Sequence, residues 1–288
     1  MNIAILLTCF NRKKKTISCL RSLYSQTNIN FDNIEVFLVD DGSTDGTFDA
    51  VEKEFPSVNL VSGSGDLYWN GGMRLAWSFA EDKNVDFDAF VWLNDDVELK
   101  LDSLSRIVEA FNSLLLSGVK VGAICGAMTD SHGNVTYGGQ RVLKGDRLSV
   151  CRLPIDNDYH QLCDTINGNF VLVSKYGYQE IGNLCPIYSH QMGDFDYGFR
   201  LGDCGFINFQ LKGIAGICES NSVEGTFRDS TLPFIKRLSL LKRPNQIAPV
   251  DEWNYFILNY SQRRTALRYI KSNLRKYFPS LWLLLFGR

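Results

Sequence analysis

Two short apolar runs near the N-terminus, each breaking into a polar cluster, constrain this chain most. Ile3-Ala4-Ile5-Leu6-Leu7 shows no polar alternation, as a strand covered on both faces of a parallel sheet requires. It breaks into Thr8-Cys9-Phe10-Asn11-Arg12. The run 34–39 repeats the pattern and breaks into Asp40-Asp41-Gly42-Ser43-Thr44-Asp45-Gly46. Between them Ile17, Leu20, Leu23 and Tyr24 recur at helical spacing. The second polar cluster supplies helix caps for a helix predicted over 47–55, and a third strand is predicted over 58–61. The order β-α-β-α-β implies right-handed crossovers and a parallel sheet. Ligands of such sheets bind beyond the carboxyl ends of the strands, where both polar clusters lie.

The pattern continues. A helix is predicted over 72–80, a strand over 87–93 ending in Asn94-Asp95-Asp96, a helix over 101–116 and a strand over 121–128. Residues 129–165 are rich in turn formers and predict a hairpin and mobile loops. A strand over 170–173 and a helix starting near Asp194 follow. At 288 residues the chain suits one large α/β domain, residues 1–225, with a helical appendage over 226–288. Its net charge of −2 supplies no global field for nucleic acid. The eight cysteines form no Cys-x-x-Cys pair and read as buried thiols in a reducing cytosol. The first apolar run is too short for a signal peptide and its basic residues follow it; no stretch reaches the ~20 apolar residues of a spanning helix. A cytoplasmic protein is expected.

Three clusters carry chemistry. Asp95 and Asp96 leave a buried strand together, which is costly unless a positive group neutralises them. A divalent ion bridging to substrate phosphates would do so; a helix cap with a spare acid is the plainer alternative. Asp41 either shapes a turn or accepts a hydrogen bond from a nucleotide base. Asp194 and Asp196, in Gly193-Asp194-Phe195-Asp196-Tyr197-Gly198-Phe199-Arg200, either cap a helix or supply a general base for an acceptor hydroxyl.

Taken in order, Thr8–Arg12, Val39–Gly46, Asn94–Asp96 and Gly193–Asp196 resemble the family 2 glycosyltransferases of the GT-A fold, over about residues 1–220. The resemblance implies an inverting enzyme that moves a sugar from a nucleotide-diphosphate donor, UDP- or TDP-type, to a hydroxyl of a glycan or lipid-linked saccharide. It implies Mg²⁺ or Mn²⁺ as cofactor. By position, Thr8 and Phe10 line the nucleotide pocket, with Arg12 a weaker candidate. Asp41 contacts the base, Asp95 the donor ribose or sugar, and Asp96 the metal. Asp194 is the general base and Asp196 an orienting residue. The glycine-rich stretch Gly63–Arg74 resembles bacterial polysaccharide members, including rhamnosyltransferases, and adds Asp66, Trp69, Asn70 and Arg74 as donor contacts; Trp69 also reads as core packing. Many relatives carry a late histidine near the metal. Here Cys218–Gly225 has none, leaving Glu219, Glu224 or no protein ligand in its place. His190 is a candidate acceptor or donor contact. A sugar nucleotidyltransferase would show a glycine-rich basic loop after the first strand, which Thr8–Arg12 lacks. A catalytically dead nucleotide-sugar or glycan-binding protein would have no reason to keep Asp41, Asp95, Asp96 and Asp194 together.

The last segment differs in character. From Arg263 to Arg288 there are seven basic residues and no acidic ones, interleaved with Trp, Phe and Leu. Such a pattern suits an anionic membrane surface at the inner face of the cytoplasmic membrane. A helical pair packed on the domain, or a homodimer contact through Tyr277–Phe286, is the alternative.

Overall fold

The computed structural model describes residues 1–287; Arg288, the last basic residue of the C-terminal run, lies outside them. The N-terminal half alternates as its pattern predicts: β1 (Ile3–Cys9), α1 (Lys13–Tyr24), β2 (Ile34–Asp40), α2 (Thr47–Glu54), β3 (Asn59–Ser62), α3 (Tyr68–Glu81), β4 (Ala89–Leu93), β5 (Glu98–Leu99), α4 (Ser103–Leu116) and β6 (Val121–Thr129). Then come β7 (Val135–Tyr137), β8 (Gly139–Leu143), β9 (Asp146–Arg152), β10 (Gln161–Cys163), β11 (Thr165–Ile166), β12 (Phe170–Ser174), α5 (Lys175–Ile181), α6 (Gly193–Asp203) and β13 (Ile207–Ile217). Four helices end the chain: α7 (Phe234–Leu240), α8 (Val250–Tyr260), α9 (Thr265–Tyr277) and α10 (Pro279–Phe286).

The main sheet runs β10-β13-β6-β12-β4-β1-β2-β3, with β5 on β13 and β7 on β6. The β4-β1-β2-β3 half is parallel, and β12 runs antiparallel between β4 and β6. β1 and β4 are buried at every position, which explains their unbroken apolar sequence. One face packs on α1 and α4 through Leu20, Leu23, Leu104 and Ile107; the other packs on α3 through Met73, Ala76 and Trp77. Because β1, β2 and β4 are parallel, Thr8–Arg12, Asp41–Gly46 and Asn94–Asp96 emerge at the same edge.

Three details depart from the sequence reading. α3 begins at Tyr68, four residues before the predicted start, so Trp69 and Asn70 sit on its first turn. Gly72 lets that turn lie against β1, since a Cβ there would collide with Thr8 Oγ1. Residues 129–165 hold the expected hairpin, β8 and β9 across Lys144-Gly145, both at positive φ, and beyond that expectation β11 extends it to a three-stranded sheet. The eleven-residue β13 has no clean signal, because Gly213 and Gly216 interrupt it and its register with β6 shifts three times. None of the eight cysteines is paired in a disulfide; five are buried as expected, but Cys151 and Cys204 are exposed and Cys185 is half-buried.

α8 and α9 dock on the first 225 residues, and α7 and α10 pack with Phe227 and Leu274 in a separate apolar cluster. Phe256 and Tyr260 of α8 join Tyr188 and Phe199 in one apolar cluster. Glu252 accepts from the Ser189 hydroxyl at 2.7 Å, and Arg268 pairs with Asp146 at 2.7 Å. Among the described residues no helix is long and apolar enough to cross a membrane.

Candidate active site

A cavity of about 420 Å³ opens at the shared edge of β1, β2 and β4. Thr8, Phe10, Arg12, Asp41, Trp69, Asp95 and His190 line it, all of them sequence candidates. Phe10 is half exposed at the rim, an aromatic face free to stack on a planar ring.

Asp41 builds the floor. One of its oxygens accepts from Gly65 N at 2.8 Å, the other from Leu67 N at 2.9 Å and Tyr68 N at 3.0 Å. The carboxylate therefore holds the turn that launches α3. Gly63 must lack a side chain, since a Cβ there would stand 2.6 Å from Asp41 Oδ1. Tyr68 pays for this turn with φ of +54°, an uncommon conformation for a bulky residue.

Arg12 bridges the acidic pair. Its Nη1 lies 3.0 Å from Asp95 Oδ1 and 3.0 Å from Asp96 Oδ2, and Lys15 Nζ lies 3.7 Å from the latter. These cations supply the neutralisation that the two carboxylates require. Burial nonetheless pushes the Asp95 carboxyl up to about 6, with Arg12 opposing and Asp96 adding to the rise. Asp95 Oδ2 is buried without a hydrogen-bond partner. The Cys218 thiol sits 3.6 Å from Asp96 Oδ1. Burial and Asp96 push that thiol up to about 12, so it stays protonated. Glu219 is occupied by the Ser131 amide at 2.9 Å. Among the described residues, no three His, Cys, Asp or Glu side chains are grouped to hold a metal. Two carboxylates with one orphaned oxygen, beside a cavity, do suit Mg²⁺ or Mn²⁺, which take few protein ligands and complete their shell with phosphate oxygens and water.

Asp194 does not itself line this cavity; it is joined through Gly168 to Trp69, which does. Its Oδ2 accepts from Gly168 N at 3.0 Å and its Oδ1 from Phe195 N at 2.9 Å. Burial pushes its carboxyl up to about 6 against those amides. Gly168 fits between Asp194 and Trp69: a Cβ there would stand 2.6 Å from the Trp69 ring and 3.3 Å from Asp194 Cβ. Trp69 in turn donates Nε1–H to Asn94 Oδ1 at 2.7 Å, beside the acidic pair. The chain Asp194–Gly168–Trp69–Asn94 thus fixes the late acid relative to Asp95 and Asp96. His190 faces the cavity; burial, with Arg12 nearby, lowers it to about 4, so it is neutral at pH 7.

The remaining candidates stand elsewhere. Asp196 is buried and serves as a hub, accepting from Arg200 Nε at 2.7 Å and Tyr260 OH at 2.8 Å. Asn70 is buried and donates to the Cys185 and Tyr188 carbonyls, pinning the strand of chain before α6. Asp66 is exposed and Arg74 half-buried, and neither lines the cavity. Two lining residues, Arg243 and Asn245, come from the C-terminal segment. In the sequence, Arg243 belongs to a basic run with an obvious surface reading; only the fold folds it back over the cavity.

The cavity thus stands at the carboxyl edge of a parallel sheet, where sheets of this kind bind their ligands, with Asp95 in its wall. Residues 4–143 match the family model Glycosyl transferase family 2. Solved structures share the fold. The mannosyltransferase PcManGT from Pyrobaculum calidifontis, in complex with GDP-Man and Mn²⁺, is 14% identical with a TM-score of 0.58, over 99% of this chain and 72% of that one. S. aureus TarS 1–349, in complex with UDP, is 13% identical with a TM-score of 0.56, over 99% of this chain and 75% of that one. No curated protein sequence matches the chain.

Proposed function

We propose that this glycosyltransferase inverts configuration at the sugar it moves, taking it from a UDP- or TDP-type donor to a hydroxyl of a glycan or lipid-linked saccharide in bacterial surface-polysaccharide synthesis. The observation that carries this reading is Asp95 in the cavity wall with Asp96 next to it, linked to Asp194 through Asn94, Trp69 and Gly168. Phe10 and Thr8 suit the base, and Asp95 suits the ribose or sugar. Asp41 supports the base pocket by holding the Gly65–Tyr68 turn in place. Asp96, with Asp95 beside it, would hold Mg²⁺ or Mn²⁺, which stabilises charge on the departing diphosphate. Arg12 and Lys15 are the protein cations at that end.

The acceptor hydroxyl is a weak nucleophile until its proton has somewhere to go. Asp194, raised to about 6, is ionised at neutral pH yet basic enough to take that proton. The acceptor oxygen forms its bond to the anomeric carbon opposite the diphosphate. The carbon–oxygen bond to the diphosphate breaks, its electron pair leaving with the nucleotide diphosphate. No covalent enzyme intermediate is required. The known ligands of the structural neighbours, GDP-Man and UDP, support a nucleotide-sugar donor without selecting the base.

α9 and α10 support a role at an anionic membrane: Leu267, Ile270, Tyr277, Phe278, Leu284 and Leu285 are exposed beside Arg263, Arg264 and Lys276. The donor reading is tested by incubating the protein with UDP-, TDP- and GDP-sugars and Mn²⁺ and measuring nucleotide diphosphate release. Release from one base class supports it, and release from none contradicts it.

A further inference from the structure

A second cavity, also about 420 Å³, lies against the catalytic wall where α9 and α10 dock. The segment 190–194 separates the two: His190 lines the donor cavity, Gln191 and Met192 line the second, and Asp194 follows. Met192 holds φ of +72°, an uncommon conformation for a long side chain, at this divide.

The lining of the second cavity is one-sided in charge. Arg228, Arg268, Lys271 and Arg275 contribute to it, and no carboxylate does. Arg268 is matched by Asp146. Arg275 is only 7% exposed, yet its guanidinium donates only to the Ala248 carbonyl and lies over Trp282. Among the described residues it has no carboxylate partner, an expensive state for a buried cation. Ser272, 3% exposed, also lines the cavity, and its hydroxyl has no partner. Trp253, Trp282 and Phe286 supply aromatic faces of the kind on which sugar rings stack.

We propose that this cavity binds the acceptor, and that the acceptor is a saccharide bearing a phosphate or diphosphate ester. The anion would meet Arg275, Lys271, Arg228 and the Ser272 hydroxyl, and the aromatic faces would hold the adjoining sugar so that a hydroxyl reaches Asp194. The inference rests on the transferase reading and adds the acceptor's chemical class. It also gives the C-terminal helices an inner face with a task, distinct from their exposed apolar face.

Fluorescence of Trp253 and Trp282, followed in EDTA to silence a metal-dependent donor site, tests it. Glucose 1-phosphate and inorganic pyrophosphate are titrated against glucose as the uncharged control. The phosphorylated probes should bind and glucose should bind at least tenfold more weakly. In Arg228→Gln/Lys271→Gln, both exposed positions, probe affinity should fall at least tenfold with an unchanged melting temperature; Arg275→Lys should weaken it less than Arg275→Gln. Absence of probe binding to the parent protein, or equal affinity in the double variant, overturns the proposal. So does binding confined to phosphatidylglycerol vesicles, which would assign these cations to lipid headgroups. Donor hydrolysis by the parent protein, measured separately with Mn²⁺, separates the two readings: hydrolysis without probe binding sinks the acceptor site alone.

Discussion

Asp194 owes its chemistry to conflict between burial and two amides. Burial favours the neutral acid, and the Gly168 and Phe195 N–H groups favour the ion, leaving the group near 6. Because the folded value is raised, the basic form is present above about pH 6 and lost below it. The rate of transfer should therefore fall about tenfold per pH unit below that point. Asp194→Asn should reduce kcat by about 10²–10⁴-fold while nucleotide affinity stays within about twofold. A pH–rate profile on both proteins checks this; full activity in the variant would remove Asp194 from the base role. Arg12 works at the same scale. It was the weakest of the sequence candidates in the nucleotide pocket, and it proves to be the counter-ion of both Asp95 and Asp96.

At the scale of elements, the strand ends deliver the site and the turn after β3 completes it. Asp41 receives three amides from Gly65, Leu67 and Tyr68, so Asp41→Asn should cost about 2 kcal/mol of stability and loosen the start of α3. Thermal melting would show the loss, and an unchanged melting temperature would contradict this account of the turn. The elements were legible to unequal degrees. β1 and β4 announce themselves because each is buried at every position and reads as a continuous apolar run, and β2 does so from Val36 to Val39. The start of α3 was hidden because Gly71 and Gly72 look like helix breakers, and only close approach to Leu67 and to Thr8 respectively explains them. β13 was hidden because its glycines and register shifts erase alternation. Within the site, Thr8, Phe10, Asp41, Asp95 and His190 follow from motif position. Arg243 and Asn245 do not, since their place depends on long-range docking of a segment that reads locally as a basic surface.

At the scale of the molecule, the C-terminal helices do more than append. Tyr260 reaches the Asp196 hub, Glu252 holds Ser189 next to His190, and Arg243 lines the cavity at the strand ends, so the extension supports the site. Its outer face remains apolar and basic. Leu281, Leu284 and Leu285 are 47%, 64% and 58% exposed, so their joint change to Ser should leave the melting temperature within about 2 °C. The same change should sharply reduce co-sedimentation with phosphatidylglycerol vesicles. Equal sedimentation of the variant and parent proteins would argue against a membrane face. The central claim, that the acidic pair is a metal-dependent diphosphate site, is tested most directly by calorimetric titration of UDP, TDP and GDP into the parent protein and Asp96→Ala, with and without Mn²⁺. The account predicts that Mn²⁺ tightens one nucleotide at least tenfold in the parent protein and not at all in Asp96→Ala; the same Mn²⁺-dependent gain in both proteins would contradict it.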